Sequence, residues 1–265
     1  MMLDLKNLGI DPETPIKNIA NLNPVYSLET EKIEEVIEKM VFSGHRSIPV
    51  VSEEKKLVGI ISVTDILDIY IRSVDLKKLV ASEMIKEVIS VDENDTVRFV
   101  LQKMKLSKKG RLPVTSDGIL VGMVGESDYV RRVASEFFDS FKNKDVMTPK
   151  PFFVGPEMLV SECVRIMVNS KYRRLPVVKK GKLVGYITST RLLKKIWEEN
   201  FSKEIGNEKI EKIMTSNPFT LSPDERLSKT LEVMKNNEIS SMLIVDEEKT
   251  LLGIITERDI IELIY

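Results

Sequence analysis

The chain has 265 residues, a formal net charge of −1, 42% hydrophobic residues and 31% charged residues. This composition is typical of a soluble globular protein with one large domain or two ordinary ones, and it excludes a disordered chain. The near-zero net charge argues against nucleic acid as the main partner, because phosphate binding usually leaves an excess of basic residues.

The first predicted elements follow an irregular lead-in at residues 1–14. Apolar residues recur at helical spacing in 29–42, and short apolar runs bounded by polar turns indicate strands. The predicted order is an extended segment at 24–28, a helix at 29–42, strands at 48–51 and 57–61, and a helix at 63–71. The unit is therefore β-α-β-β-α.

This unit occurs four times, and its landmarks keep their spacing. A methionine ends each first helix, a proline opens the next strand in three copies, and a glycine lies in the strand after it: Met40, Met104, Met167 and Met234; Pro49, Pro113 and Pro176, with Leu243 in the fourth copy; Gly59, Gly122, Gly185 and Gly253. Such a repeat has to be recognised before the fold is assigned. We predict repeats at 15–71, 81–133, 143–196 and 210–265, with a phenylalanine-bearing connector at 134–142 packed on a neighbour.

The residues after the second strand carry the most information about function. Ser62-x-x-Asp65 and Thr256-x-x-Asp259 have the form of a capping box, in which hydroxyl and acid satisfy the helix N-terminus. The same residues also suit a nucleotide, because a hydroxyl beside free N–H groups binds phosphate and a carboxylate accepts both hydroxyls of a ribose. The strand glycines likewise have two explanations, namely close packing or the approach of a ligand.

The four copies resemble CBS domains, the module named after cystathionine beta-synthase. The matching residues are Arg111-Leu112-Pro113-Val114 and Arg174-Leu175-Pro176-Val177, the strand Leu57-Val58-Gly59-Ile60-Ile61, the Ser/Thr-x-x-Asp pairs, and the openings Asp145-Val146-Met147-Thr148 and Lys212-Ile213-Met214-Thr215. The resemblance implies an α+β fold in which consecutive copies pair about a pseudo-twofold axis, leaving clefts for AMP, ADP or ATP, or for S-adenosylmethionine.

The resemblance also assigns residues to these clefts. The first cleft would use Ser62 and Asp65 with Val88, Ile89, Lys109, Gly110 and Arg111. The second cleft would use Thr256 and Asp259 with Pro151, Phe152, Tyr172, Arg173 and Arg174. The acids would hold the ribose, and the base would lie between the entry segment of the partner repeat and the residues just before its proline. The arginines suit phosphate because of their planar fork.

Two repeats depart from the pattern. The second has Gly125 where the hydroxyl should be, so the cleft of Asp128, with His45, Arg46 and Ser47, would bind weakly or accept a different phosphate length. The third keeps Thr188 but has Arg191 in place of the acid, and arginine accepts no hydrogen bond from a ribose. We expect that cleft to be empty or to hold an anion.

The sequence therefore favours a non-catalytic regulatory protein that senses energy state through adenine nucleotides. Its layout resembles the regulatory gamma subunit of AMP-activated protein kinase. Its output would pass to an unidentified protein partner or to a second copy in a homodimer. The alternatives are a sensor of S-adenosylmethionine-type ligands, an interaction scaffold with vestigial clefts, and an enzyme.

An enzyme is disfavoured because the chain has no glycine-rich phosphate loop with a lysine and no cysteine–histidine arrangement. We expect no catalytic cofactor and no metal, with a single histidine, His45, and a single cysteine, Cys163, which a helical pattern places in the core. The lone cysteine, the lack of an apolar run of about 18 residues and the lack of a signal-peptide pattern favour a cytoplasmic protein without membrane contact.

Overall fold

The four repeats adopt one common arrangement in a computed structural model of the chain, which describes residues 4–264. The first three residues of the predicted lead-in and the last residue of the fourth repeat lie outside the described residues. The helices are α1 (Ile33–Ser43), α2 (Val63–Ile71), α3 (Val97–Ser107), α4 (Glu126–Val130), α5 (Asn143–Val146), α6 (Val160–Ser170), α7 (Ser189–Glu198), α8 (Leu227–Asn236) and α9 (Glu257–Glu262).

The strands complete the predicted α+β class, which is confirmed. They are β1 (Ser27–Leu28), β2 (Ser47–Val51), β3 (Leu57–Ser62), β4 (Val91–Asp92), β5 (Arg111–Ser116), β6 (Ile119–Gly125), β7 (Thr148–Pro149), β8 (Arg174–Lys179), β9 (Lys182–Thr188), β10 (Thr215–Ser216), β11 (Thr220–Leu221), β12 (Ser241–Val245) and β13 (Leu251–Thr256). Each repeat is built around an antiparallel hairpin, which β1, β4 and β11 extend as parallel strands in the first, second and fourth repeats.

Helix α1 shows why the local sequence folds as predicted. Its apolar residues Ile33, Val36, Ile37 and Met40 are all buried, and they lie on one face because they recur three and four residues apart. The helix ends at Gly44, whose φ of +69° is the left-handed conformation that glycine adopts without strain.

The hairpin register fixes the place of the predicted site residues. Ser47 pairs with Ser62, Arg111 with Gly125, Arg174 with Thr188 and Ser241 with Thr256. The last residue of the second hairpin strand is also the N-cap of the following helix in every repeat. The residues around the proline therefore lie beside the first turn of the second helix of the same repeat.

The strand glycines allow close packing of backbone and methionine side chains. A Cβ on Gly59 would lie 2.8 Å from the carbonyl oxygen of Lys86, and one on Gly122 would lie 3.0 Å from the carbonyl oxygen of Asn21. At Gly185 and Gly253 the neighbour is the side chain of Met214 or Met147. Packing of each sheet against a segment of another repeat in the same unit therefore accounts for these glycines without a ligand.

The chain divides into two compact units, each made of alternate repeats. One unit comprises residues 1–24, 89–151 and 219–265, and the other comprises residues 25–88 and 152–218. The unit that begins at residue 1 contains the second and fourth repeats, which meet through α4 and α9. The unit that begins at residue 25 contains the first and third repeats, which meet through α1, α2, α6 and α7. The pairing of consecutive repeats stays a prediction, because consecutive repeats belong to different units.

Each unit has its own apolar core. In the unit of the first and third repeats the core includes Ile37, Ile66 and Leu192, together with the buried thiol of Cys163. In the unit of the second and fourth repeats, Phe138 of the connector is fully buried, and its 3₁₀ turn packs on α8, as predicted for residues 134–142. Among residues 4–264, no helix is long and apolar enough to cross a membrane.

Candidate functional site

Each predicted cleft takes its acid from one unit and most of its other residues from the other unit. The two sides are therefore described separately. We call the Ser/Thr-x-x-Asp residues at the start of a second helix the cap pair, and we call residues 45–47, 109–111 and 172–174 the pre-proline segments.

The cap pair of the first repeat is Ser62 and Asp65, at the end of β3 and in the first turn of α2. Asp65 Oδ2 accepts hydrogen bonds from the backbone N–H of Ser62 (2.9 Å) and from its hydroxyl (2.5 Å), and the N–H of Asp65 donates to Ser62 Oγ at 3.3 Å. The capping box is thus present. Within residues 4–264, Asp65 Oδ1 has no hydrogen-bond partner, so one carboxylate oxygen is left to accept from a ligand.

The cap pair of the fourth repeat, Thr256 and Asp259, has the same geometry with one addition. Asp259 Oδ2 accepts from the N–H of Thr256 at 2.7 Å and from its hydroxyl at 2.6 Å. The other carboxylate oxygen accepts from the hydroxyl of Thr148 at 3.2 Å. Thr148 reaches Asp259 because β7 pairs with β13. A ribose at Asp259 would have to share or displace the Thr148 hydroxyl, a contact that the sequence interpretation missed.

The second repeat replaces the hydroxyl by a glycine, and the structure shows what occupies the place. The N–H of Gly125 donates to Asp128 Oδ2 at 2.7 Å. A Cβ on Gly125 would lie 3.3 Å from Arg111 Nε, so the guanidinium fills the space beside the glycine. Burial raises the pKa of Asp128, although the Gly125 hydrogen bond and Arg111 both favour its charged form. Burial lowers the pKa of Arg111, while Asp128 and Glu257 act in the opposite direction.

The third repeat uses its arginine as a structural link. Thr188 Oγ1 accepts from the N–H of Arg191 at 3.2 Å and lies 3.0 Å from Thr190 Oγ1. The guanidinium Nε of Arg191 donates to the carbonyl oxygen of Ile213. Arg191 therefore ties the start of α7 to the segment that follows the same repeat, and this contact accounts for the residue without an anion.

The pre-proline segments lie on the first turn of the second helix of their own repeat. The N–H of Val63 donates to the carbonyl oxygen of Arg46 at 2.9 Å, and the N–H of Ser189 donates to that of Arg173 at 2.9 Å. The N–H of Glu126 donates to the carbonyl oxygen of Gly110 at 3.0 Å. The structure thus brings each segment together with the cap pair of the same repeat. The basic side chains at this edge could contact a phosphate.

The segment 151–154, at the start of the third repeat, brings Phe152 beside Tyr172. Phe152 and Tyr172 stack with ring centroids 5.6 Å apart and an interplanar angle of 21°. Both rings are exposed, at 49% and 43%. They meet because the N–H of Val154 donates to the carbonyl oxygen of Pro176, which lays the segment along β8. A flat, exposed aromatic pair offers a face on which a nucleobase can stack.

The remaining predicted residues differ in exposure. Lys109, Arg173 and Ile89 are exposed, while Val88, Pro151 and Arg174 are half-buried. His45, Arg46 and Ser47 are also half-buried, and the N–H of His45 donates to Ser43 Oγ at 3.3 Å. In the described part of the chain, no group of three histidine, cysteine, aspartate or glutamate side chains could hold a metal ion.

One ion pair beside the cap pairs was not predicted. Arg258 Nη2 lies 2.7 Å from Glu126 Oε1, and Glu126 is only 6% exposed. Glu126 and Arg258 each lie in the first turn of a second helix, next to or near the acids Asp128 and Asp259. The opposite charges of Glu126, two residues before Asp128, and of Arg258, one residue before Asp259, were the sequence signal of this contact.

Comparison with known proteins supports the repeat assignment. The family model of the CBS domain matches residues 16–72, 77–135, 144–198 and 210–265. Protein MJ1225 of Methanocaldococcus jannaschii is 30% identical over 258 residues, covering 88% of this chain and 92% of its own. Its crystal structure, described as that of a candidate archaeal homolog of g-AMPK, has a TM-score of 0.85 at 29% identity and covers 94% of this chain and 99% of its own.

Two further relatives show how far the similarity extends. A conserved protein from Pyrococcus horikoshii has a TM-score of 0.64 at 25% identity, covering 94% of this chain and 99% of its own. Homoserine O-acetyltransferase of Methanohalobium evestigatum is 29% identical over 140 residues, but these cover 52% of this chain and only 27% of the enzyme. The match to this enzyme is therefore partial. With four matches that span most of its length, the chain belongs to the CBS-domain family and carries four CBS domains.

Proposed function

We propose that the protein is a non-catalytic sensor that binds AMP, ADP or ATP in clefts formed by its CBS domains and signals to a protein partner. The cap pairs of Asp65 and Asp259 hold the ribose in the two leading clefts. The pre-proline arginines contact phosphate, and Phe152 and Tyr172 contact the base. Asp128 serves a weaker cleft, and no nucleotide binds at Arg191.

The observation that carries the proposal is that only one of the two carboxylate oxygens of Asp65 is used to cap the helix. Oδ2 satisfies the helix start through two hydrogen bonds, and within residues 4–264 Oδ1 has no partner. A capping residue needs only one oxygen, whereas a ribose offers two hydroxyl donors to a carboxylate. The half-buried site strengthens a charge-assisted hydrogen bond relative to one in bulk water.

The CBS family and the relative MJ1225 support the same proposal. The resemblance to the CBS family implies clefts for adenine nucleotides, and the structure of MJ1225 is described as that of a candidate archaeal homolog of g-AMPK. The exposed stack of Phe152 and Tyr172 adds a base-sized aromatic face beside Arg173 and Arg174.

Calorimetric titration of matched variants tests the proposal. Asp65→Asn and Asp259→Asn keep an oxygen for the helix cap but replace the other acceptor, which is free in Asp65 and accepts from Thr148 in Asp259, by an amide donor. Each is expected to weaken binding in its own cleft by about 10- to 100-fold, since hydrogen bonds to charged groups contribute roughly 1.5–3 kcal/mol. Titrations use AMP, ADP, ATP and S-adenosylmethionine in turn, so that the preferred ligand is identified in the same experiment.

Asp95→Asn is the matched control. Asp95 Oδ2 accepts the backbone N–H of Asp92 at 2.9 Å, three residues earlier, as the cap pairs do, but it belongs to no predicted cleft. It should bind nucleotide like the wild-type protein. Unchanged binding by both cap-pair variants would show that the sugar contacts are misplaced.

An interaction scaffold with vestigial clefts is the second candidate, because capping alone accounts for Asp65 Oδ2 and Asp259 Oδ2. Thermal melting separates the two functions. A ligand present at 100 times its dissociation constant stabilises the folded state by about 2.7 kcal/mol and must raise the melting temperature. No shift with any of the four ligands would favour the scaffold.

A further inference from the structure

The Arg258 side chain connects the fourth repeat to the pre-proline loop of the second repeat. Its Nη2 lies 2.7 Å from Glu126 Oε1 and donates to the carbonyl oxygen of Lys108 at 3.3 Å. Lys108 ends α3 in the left-handed conformation, with φ of +55°, and immediately precedes the pre-proline segment 109–111. One guanidinium thus contacts the residue that begins this turn and the carboxylate of Glu126, whose backbone N–H donates to the turn at Gly110.

The same turn closes onto Glu126 from its other side. A Cβ on Gly110 would lie 2.8 Å from Glu126 Oε2, so the loop can approach the carboxylate only because residue 110 is a glycine. The N–H of Glu126 donates to the carbonyl oxygen of Gly110 at 3.0 Å. Removing Arg258 would leave the Glu126 carboxylate buried without its cation, which strongly disfavours this arrangement of the loop.

The common fold of the repeats does not require this contact. At the position of Arg258 the other repeats have Thr64, Ser127 and Thr190, and at that of Glu126 the first and third repeats have Val63 and Ser189. In addition, Arg258 Nε is buried and has no partner among the described residues. A buried donor without a partner costs free energy, so a purely structural role would be better filled by an apolar residue.

We infer that Arg258 is a positioning residue that couples ligand binding in the two leading clefts. The inference rests on the proposed function. Arg258 immediately precedes Asp259, the ribose residue of the second cleft, and it holds Lys109, Gly110 and Arg111, the base and phosphate residues of the first. A ligand that orders the first turn of α9 also fixes Arg258 on Glu126 and Lys108. The pre-proline segment is then ordered before its own ligand arrives.

The coupling is positive and reciprocal. The second ligand finds a segment whose conformational entropy has already been lost, so it binds more tightly than to the empty protein. Typical coupling between sites changes affinity by about 5- to 150-fold, and the factor must be the same in both directions. Asp259→Asn, which weakens binding in the second cleft, is therefore expected to weaken binding in the first cleft as well.

Arg258→Gln tests the inference, with Arg258→Lys as the conservative variant and Arg226→Gln as the control. Arg226 lies in the same unit and makes an exposed pair with Asp139 at 3.6 Å. Each of these variants and the wild-type protein is prepared with Asp259 intact and with Asp259→Asn. Calorimetry then measures the affinity of the first cleft for AMP or ATP in both members of each pair. The ratio of the two affinities should be at least about fivefold in the wild-type and Arg226→Gln backgrounds and close to one in Arg258→Gln. Arg258→Lys keeps the charge and should restore part of the ratio.

Hydrogen exchange of residues 108–111 without ligand gives a second readout. These amides should exchange faster in Arg258→Gln than in Arg226→Gln. An equal affinity ratio in all backgrounds, with nucleotide bound, would overturn the coupling and leave the proposed function intact. Absence of nucleotide binding in the wild-type protein would overturn the proposed function, and the coupling with it, while faster exchange would still establish Arg258 as a positioning residue for the loop.

Discussion

Replacing Gly59 by alanine tests the packing explanation of the strand glycines. The new Cβ would lie 2.8 Å from the carbonyl oxygen of Lys86 and 2.9 Å from Ile85 Cβ. This backbone cannot move freely, because Ile60 and Lys86 exchange two backbone hydrogen bonds of 3.1 and 3.0 Å. The overlap is expected to cost about 1–3 kcal/mol, of which the lower chain entropy of alanine offsets roughly 0.5–1 kcal/mol.

Gly185→Ala is the matched control, since it has the same position in the third repeat. Its Cβ meets only the side chain of Met214, with Sδ nearest, Cγ at 3.0 Å and Cε at 3.1 Å, and a flexible thioether can rotate away. Differential scanning calorimetry should show a lower melting temperature for Gly59→Ala, by about 2–4 °C for each kcal/mol, and a smaller change for Gly185→Ala. Equal melting temperatures, or a larger loss in Gly185→Ala, would refute the packing explanation.

Two further predictions concern single ionisable groups. Burial raises the pKa of Asp128 in the folded protein above its ordinary value of 3.8. At a pH above this raised pKa the charged carboxylate lowers the free energy of unfolding. At a pH below the pKa of the unfolded state the group is protonated in both states and has no effect. Asp128→Asn should therefore raise the melting temperature at about pH 7.5 but leave it unchanged below about pH 4, and an equal effect at both would contradict the reasoning. Burial also raises the pKa of Cys163 to about 12, so a thiol reagent at about pH 8 should label the protein only after unfolding. Stoichiometric labelling of the native protein would be inconsistent with a buried thiol.

Much of the local structure could be predicted because periodicity and spacing are local properties. Helix α2 has the predicted bounds, since Ser62 caps its first turn and its apolar face is continuous. Helix α1 begins four residues later than the predicted start at residue 29. Glu29 donates its N–H to the carbonyl oxygen of Val51 and so extends the sheet, a tertiary contact that helical spacing does not reveal.

The contacts of the candidate site could be predicted only in part. The motif predicts Asp65 and Asp259 as the acids. The hairpin register places Ser62 beside Ser47 of its own repeat, a contact that the motif did not indicate. The guanidinium of Arg111 beside Gly125 depends on the register of the β5–β6 hairpin, and the Arg258–Glu126 pair joins different repeats. Spacing within a repeat carries no information about which other repeat it will meet.

The interleaved composition of the two units has a consequence for synthesis on the ribosome. The polypeptide passes from one unit to the other after residues 24, 88, 151 and 218. The unit of the first and third repeats is complete once residue 218 has been made, whereas the other unit must wait for the segment that begins at residue 219. Until that segment emerges, Glu126 lacks its cation. Neither unit is a continuous stretch of polypeptide, so a single break anywhere between residues 25 and 218 divides both.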